Sequence, residues 1–123
     1  MKIIISNALK EPIYEQISRQ IKELIFKGEL KEGDMLPSIR GLAREIQISV
    51  ITTKRAYEEL EREGFIVTVR GKGSYVAAQN TDLLREQKLK LIEDKLSQVV
   101  EESRVLNLGF DDIKNILKVL FEE

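Results

Sequence analysis

The side chains best suited to binding chemistry are concentrated between residues 38 and 73. The candidates are Ser38, Arg40, Arg44, Ser49, Thr52, Lys54, Arg55, Arg70 and Lys72. Hydroxyls and cations of this kind form hydrogen bonds to phosphate oxygens. The chain contains no histidine and no cysteine, so the commonest general base and every thiolate reaction are missing. No catalytic motif is present either, which predicts reversible binding without a cofactor or metal rather than an enzyme.

Two short amphipathic helices are predicted to carry most of these side chains. Apolar residues recur at helical spacing over residues 39–46, behind the capping residue Ser38, and again over residues 50–60. Residues 47–49 interrupt the pattern as a tight turn, and Gly64 ends the second helix. The pair is typical of a helix-turn-helix.

A basic hairpin follows the two helices. Residues 65–69 and 74–77 are rich in β-branched and aromatic residues and are predicted to be strands, joined through residues 70–73. Another helix is predicted over residues 13–25, and residues 35–36 form a short extended piece. The order helix, extended piece, helix, turn, helix, hairpin predicts an α+β, mostly helical fold with a winged helix-turn-helix.

The chain is predicted to divide into this winged domain over residues 1–78 and a C-terminal domain over residues 79–123, with a polar hinge at 79–82. Two amphipathic helical patterns in the second domain predict an antiparallel helical hairpin. Its apolar positions assigned to dimerisation are Leu84, Leu89, Ile92, Leu96, Val99, Phe110, Ile113, Leu117, Leu120 and Phe121. They are more than one hairpin can bury against itself, so we expect a second copy to cover them. The alternative is that the hairpin folds back on its own winged helix.

Charge distribution and apolar content limit the partners that the protein can have. The formal charge is −1 over 123 residues, with 13 Lys and Arg against 11 Asp and Glu in residues 1–79 and 7 against 10 in residues 80–123. Any attraction to a polyanion must therefore come from the local placement of cations in the first domain. No apolar run approaches the roughly 20 residues that span a bilayer, so a cytoplasmic protein without a membrane partner is predicted.

Four segments together resemble the GntR family of bacterial transcription regulators: residues 12–17 (PIYEQI), 36–43 (LPSIRGLA), 54–61 (KRAYEELE) and 71–76 (GKGSYV). The short two-helix tail, in place of a large effector domain, is similar to the YtrA subfamily. The resemblance implies a homodimeric repressor on a palindromic operator in double-stranded DNA, with the tail helices forming the dimer. It also implies, in many relatives, control of the regulator's own operon together with transporter genes. No effector is identified by the sequence.

The second helix of a helix-turn-helix directs its N-terminal residues at base edges in the major groove. The candidates on it are Ser49, Val50, Ile51, Thr52, Lys54 and Arg55, with Tyr57 able to reach a phosphate from the edge of the apolar stripe. Lys54 and Arg55 have the alternative of being solvated surface charges. Ile51 stands where relatives commonly carry a polar residue, and it is predicted either to contact a thymine methyl or merely to cover local surface.

The preceding helix is expected to contact the DNA backbone. Arg40 matches a family position that contacts DNA and lies beside N-terminal amides, which favour anions; its alternative is an ion pair with Glu45 or Glu11. Arg44 is a second candidate on this helix. Ser38 caps the helix and can also donate to a phosphate.

The hairpin tip, Arg70-Gly71-Lys72-Gly73, is predicted to enter the minor groove or to meet phosphates, with an ordinary exposed turn as the alternative. Sequence-specific DNA binding is thus the leading function. A winged-helix protein–protein interaction module without specific DNA binding is the second, because the net charge is close to zero.

Overall fold

The chain order of the elements is three helices, a hairpin and two further helices. The computed structural model describes residues 1–79 and 81–123, and Asn80, within the predicted hinge, lies outside the described residues. The elements are α1 (Ile13–Phe26), α2 (Ile39–Ile46), α3 (Val50–Arg62), β1 (Ile66–Val69), β2 (Gly73–Val76), α4 (Thr81–Val105) and α5 (Phe110–Glu122). The chain divides into two compact units, Met1–Thr81 and Asp82–Glu123.

Side-chain caps fix the bounds of α2 and α3. The Ser38 hydroxyl accepts a hydrogen bond from the Gly41 amide at 3.0 Å, and α2 ends at Gln47, which has a left-handed φ of 57°. The Ser49 hydroxyl accepts from the Thr52 amide at 3.1 Å and begins α3. Capping hydroxyls satisfy amides that have no partner in the first helical turn. The tight turn of three residues between the helices therefore lies where the sequence predicts it.

The wing is a two-stranded antiparallel sheet in which Ile66 pairs with Val76 and Val69 with Gly73. Both strands begin and end within one residue of the predicted bounds. Phe65 is excluded from β1 because its amide donates to the Leu60 carbonyl at 2.9 Å and so completes the end of α3. The extended piece before α2 lies along the wing, where the Leu36 amide donates to the Ser74 carbonyl at 2.9 Å.

One hydrophobic core joins the elements of the N-terminal unit. Its fully buried side chains come from α1, α2, α3 and both strands: Ile17, Ile21, Leu42, Ala56, Leu60, Ile66 and Val76. Gln16 is also buried, and its amide group bonds to both backbone groups of Ser6 and to the Glu11 carbonyl, each at 2.9 Å. The N-terminal segment is thereby held against α1.

The C-terminal unit carries the two tail helices. α4 spans 25 residues, and α5 begins where the Asp112 carboxylate accepts a hydrogen bond from the Gly109 amide at 2.8 Å. The predicted fold class is confirmed: a winged helix-turn-helix is followed by two C-terminal helices. Most apolar side chains of the two helices are exposed, and among the described residues of this unit only Ser103 is buried. Neither these helices nor any other described helix is long and apolar enough to cross a membrane.

Candidate nucleic-acid interface

The N-terminus of α3 is organised by a small hydroxyl network. Ser49 Oγ accepts from the Thr52 amide and donates to Thr52 Oγ1 at 2.8 Å. The Thr53 hydroxyl, which is buried, donates to the Ser49 carbonyl at 3.0 Å. Ser49 is therefore engaged inside the protein, whereas Thr52 keeps its own hydroxyl proton to donate to a ligand.

Four predicted cations are exposed and have no ion-pair partner within residues 1–79: Arg40, Arg44, Arg70 and Lys72. The alternative for Arg40 is absent from the described residues: Arg40 makes no ion pair with Glu45 or Glu11, and Glu11 pairs with Arg19 at 3.0 Å. A cation without an internal carboxylate partner can meet a phosphate without breaking an existing bond. These four side chains are thus available to a polyanion.

Three other cations of the same unit are paired with carboxylates. Arg19 pairs with Glu11 and Glu23, Lys22 with Glu63, and Arg62 with Glu59. None of these three cations is among the predicted DNA contacts. The predicted contacts on α2 and the wing are thus without an ion pair among the described residues, as are the exposed Lys2, Lys10, Lys27 and Lys31, which lie outside the helix-turn-helix and the wing.

Lys54 and Arg55, the predicted cations of α3, differ from each other. Lys54 is exposed and its ammonium lies 3.8 Å from a Glu58 carboxylate oxygen, a surface pair that contributes little to stability and is easily exchanged. Arg55 instead stacks on α1, where its guanidinium carbon lies 3.8 Å from the centre of the Tyr14 ring. This cation–π contact joins α3 to α1, a role that the helical pattern of α3 does not predict.

The prediction that Tyr57 contacts DNA is wrong, because the side chain is buried. Its side chain is only 3% exposed, and its hydroxyl donates to the Pro37 carbonyl at 2.7 Å. Burial raises the pKa of the Tyr57 hydroxyl, so the group stays a neutral donor. Tyr57 therefore fixes the chain just before the Ser38 cap of α2 and cannot reach a phosphate.

Replacing Tyr57 by phenylalanine is expected to lower the free energy of unfolding by about 1 kcal/mol, because the partly buried Pro37 carbonyl loses its donor. Urea unfolding followed by circular dichroism, at one fixed protein concentration, measures this. Tyr75→Phe is the matched control, since the Tyr75 hydroxyl lies 3.5 Å from its nearest acceptor, the Lys72 carbonyl. Equal losses in the two variants would contradict the assigned role of Tyr57.

The wing tip depends on two glycines for its shape. Gly71 has φ 79° and Gly73 has φ 124°, backbone conformations that other residues rarely adopt. They let the chain turn between β1 and β2, with the Lys72 amide donating to the Val69 carbonyl at 2.9 Å. Arg70 and Lys72 are exposed at this turn.

The positions assigned to dimerisation are almost all exposed. Leu89, Ile92, Leu96 and Val99 on α4, and Phe110, Leu117, Leu120 and Phe121 on α5, are exposed, and Phe121 reaches 88%. Leu84 and Ile113 are half-buried. Apolar surface of this extent is typical of a protein–protein contact.

Comparison with known proteins agrees with this geometry. Residues 13–76 match the family model described as bacterial regulatory proteins, gntR family. The chain is 41% identical over 107 residues to the HTH-type transcriptional repressor YtrA of Bacillus subtilis, covering 87% of this chain and 82% of that protein. Among solved structures, YtrA from Sulfolobus acidocaldarius, a GntR-family transcription factor, has 43% identity and a TM-score of 0.62, covering 77% of this chain and 97% of that one.

The DNA-binding fold is also shared with AraR(DBD), solved in complex with operator ORX1, with a TM-score of 0.56 and 24% identity over 63% of this chain and 96% of that chain. The family and these relatives are transcriptional regulators, which agrees with the prediction that the chain is not an enzyme. The winged helix-turn-helix, the matched residues and the relatives together place this chain in the GntR family of bacterial regulatory proteins.

Proposed function

We propose that this protein is a homodimeric transcriptional repressor that binds a palindromic operator in the cytoplasm. The observation that carries the proposal is the set of exposed, unpaired cations Arg40, Arg44, Arg70 and Lys72 on the same winged unit as the capped N-terminus of α3. Backbone contacts from α2 and the wing would fix the position of the unit on the duplex, and α3 would read base edges. The Bacillus subtilis relative is named a repressor, which supports repression rather than activation.

The N-terminal residues of α3 are the proposed readers of sequence. Ser49, Val50, Ile51, Thr52 and Lys54 lie in its first turns or at its cap. Of these, Thr52 and Lys54 have polar protons free for a base or phosphate, whereas Ser49 is occupied by its cap. Arg55 is less suited to this role than predicted, because its guanidinium stacks on Tyr14.

The tail is proposed to form the dimer. The exposed stripe of Leu89, Ile92, Leu96 and Val99 on α4 recurs at heptad spacing, which suits packing against a second helix of the same kind. A symmetric dimer presents two reading heads to two half-sites about 34 Å apart, one turn of duplex. The palindrome follows from that symmetry.

The regulated genes are proposed from the resemblance to the YtrA subfamily. We infer that an operator lies upstream of the protein's own gene, in an operon with transporter genes. A repressor so placed would limit its own synthesis.

Selection from a library of randomised duplexes tests the proposal. Binding, recovery and sequencing over several rounds are expected to enrich a palindrome whose half-site centres are about 10 base pairs, or a multiple of this, apart. A variant with Arg40, Arg70 and Lys72 replaced by alanine serves as the control and is expected to enrich nothing. A folded wild-type protein that enriches no sequence would contradict the proposal and favour a protein-interaction module.

A further inference from the structure

Ile51 is the most exposed residue in the first turn of α3. It is the second residue of the helix and is 82% exposed, and Val50 beside it is exposed as well. We call these two residues the apolar tip. The buried stripe of α3, which includes Thr53, Ala56 and Leu60, belongs to other positions of the helix. The Ile51 side chain therefore adds nothing to the core.

Local helix stability does not explain an isoleucine there either. β-branched residues lose rotamer freedom in a helix, and alanine would favour the helix more. The neighbouring Ser49 hydroxyl is also unavailable as a donor to a ligand, because it donates to Thr52 Oγ1. The tip thus presents hydrocarbon at the place where a helix-turn-helix meets base edges.

We propose that Ile51 determines sequence preference by packing on the C5-methyl group of a pyrimidine in the major groove. An aliphatic side chain can neither donate nor accept a hydrogen bond, and the thymine methyl is the apolar group that the major-groove edges of the base pairs present. This inference rests on the proposed operator binding. A methyl at C5 is present on thymine and on 5-methylcytosine, so Ile51 would favour both over their unmethylated counterparts.

The test uses the palindrome recovered by the selection above. Each thymine of one half-site, with its symmetry mate, is replaced in turn by uracil, and affinity is measured by fluorescence anisotropy. Burial of one methyl-sized group corresponds to about fourfold in affinity. One symmetric pair of replacements is therefore expected to weaken binding about 15-fold, with the other thymines nearly neutral.

The thymine whose replacement by uracil weakens binding is then replaced by cytosine and by 5-methylcytosine, each opposite guanine, and the two affinities are compared. The methylated base is expected to bind tighter than the unmethylated one in both pairs, thymine over uracil and 5-methylcytosine over cytosine. If only the thymine pair responds, the methyl contact depends on the A·T pair and the claim that Ile51 also favours 5-methylcytosine is overturned.

The variants link the effect to one side chain. In Ile51→Ala, the preference for thymine over uracil should disappear, so that the variant binds the two duplexes equally well. Ile4→Ala is the matched control, because Ile4 is 65% exposed but lies in the N-terminal segment, and it should keep the full preference.

Failure of this inference and failure of the proposed function are distinguishable. A protein that enriches a palindrome but binds uracil and thymine duplexes equally would overturn the role of Ile51 and leave operator binding intact. A methyl preference that persists in Ile51→Ala would assign it to another residue and overturn the inference. Failure to enrich any sequence would overturn the proposed function, and the inference with it.

Discussion

Leu96→Asp is expected to separate the dimer and to weaken operator binding by at least about a hundredfold. Leu96 is exposed within one protomer and lies in the middle of the α4 stripe with Leu89, Ile92 and Val99. In a dimer its side chain would be covered, and burying an unpaired carboxylate is strongly unfavourable. A single head keeps only half of the phosphate contacts, so affinity falls steeply at physiological salt.

Sedimentation equilibrium and anisotropy on the selected duplex measure the two effects together. Gln98→Asp is the matched control, because Gln98 is an exposed polar residue of the same helix outside the stripe. It introduces the same charge and should leave both the dimer and the affinity unchanged. A Leu96→Asp protein that remains dimeric would contradict the assignment of α4 to the interface.

Arg40→Ala is expected to weaken binding to every duplex by roughly the same factor, about 10- to 100-fold in the dimer. Arg40 is exposed, lies in the first turn of α2 and has no ion-pair partner in residues 1–79. Its proposed ligand is a phosphate, which carries no sequence information. The slope of log affinity against log salt should therefore become shallower by about two, one contact for each protomer.

Anisotropy titrations on the selected and on shuffled duplexes at several salt concentrations measure both quantities. Arg62→Ala is the control, because Arg62 is exposed but paired with Glu59 near the end of α3. It should leave the salt slope unchanged. A loss for Arg40→Ala that is confined to the selected sequence would place Arg40 at a base edge rather than at the backbone.

The helix-turn-helix was predictable because its boundaries are encoded locally. Ser38 and Ser49 each accept the hydrogen bond of an amide three residues later, so two short helices begin where their capping residues stand. The spacing of apolar residues then places one face of each helix in the core. Neither step needs information from a distant part of the chain.

The roles of Tyr57 and Arg55 were not predictable in the same way. Tyr57 bonds to a carbonyl 20 residues away, and Arg55 stacks on a ring of another helix. Helical periodicity shows which side of α3 a residue occupies but not which groups from other elements stand opposite. The pattern of α3 alone therefore leaves the Tyr57 hydroxyl without a partner, whereas the fold supplies the Pro37 carbonyl.

The apolar stripe of the tail was also predictable, but the partner that covers it was not. Heptad spacing in α4 predicts an apolar stripe, and the stripe is present and exposed. What covers it is a property of a second molecule, which the periodicity of one chain does not specify. The same holds for the exposed side chains of α5, including Phe110 and Phe121, whose covering partner is not specified by the sequence pattern.

The most direct test of the central claim, dimeric operator binding, is an anisotropy titration on the duplex upstream of the protein's own gene and on a shuffled control, over a range of salt concentrations. We expect tighter binding to the native duplex, a stoichiometry of two protomers for each site, and an affinity that falls steeply with added salt. Equal binding to both duplexes, or binding that salt does not weaken, would contradict a sequence-specific dimeric repressor at this site.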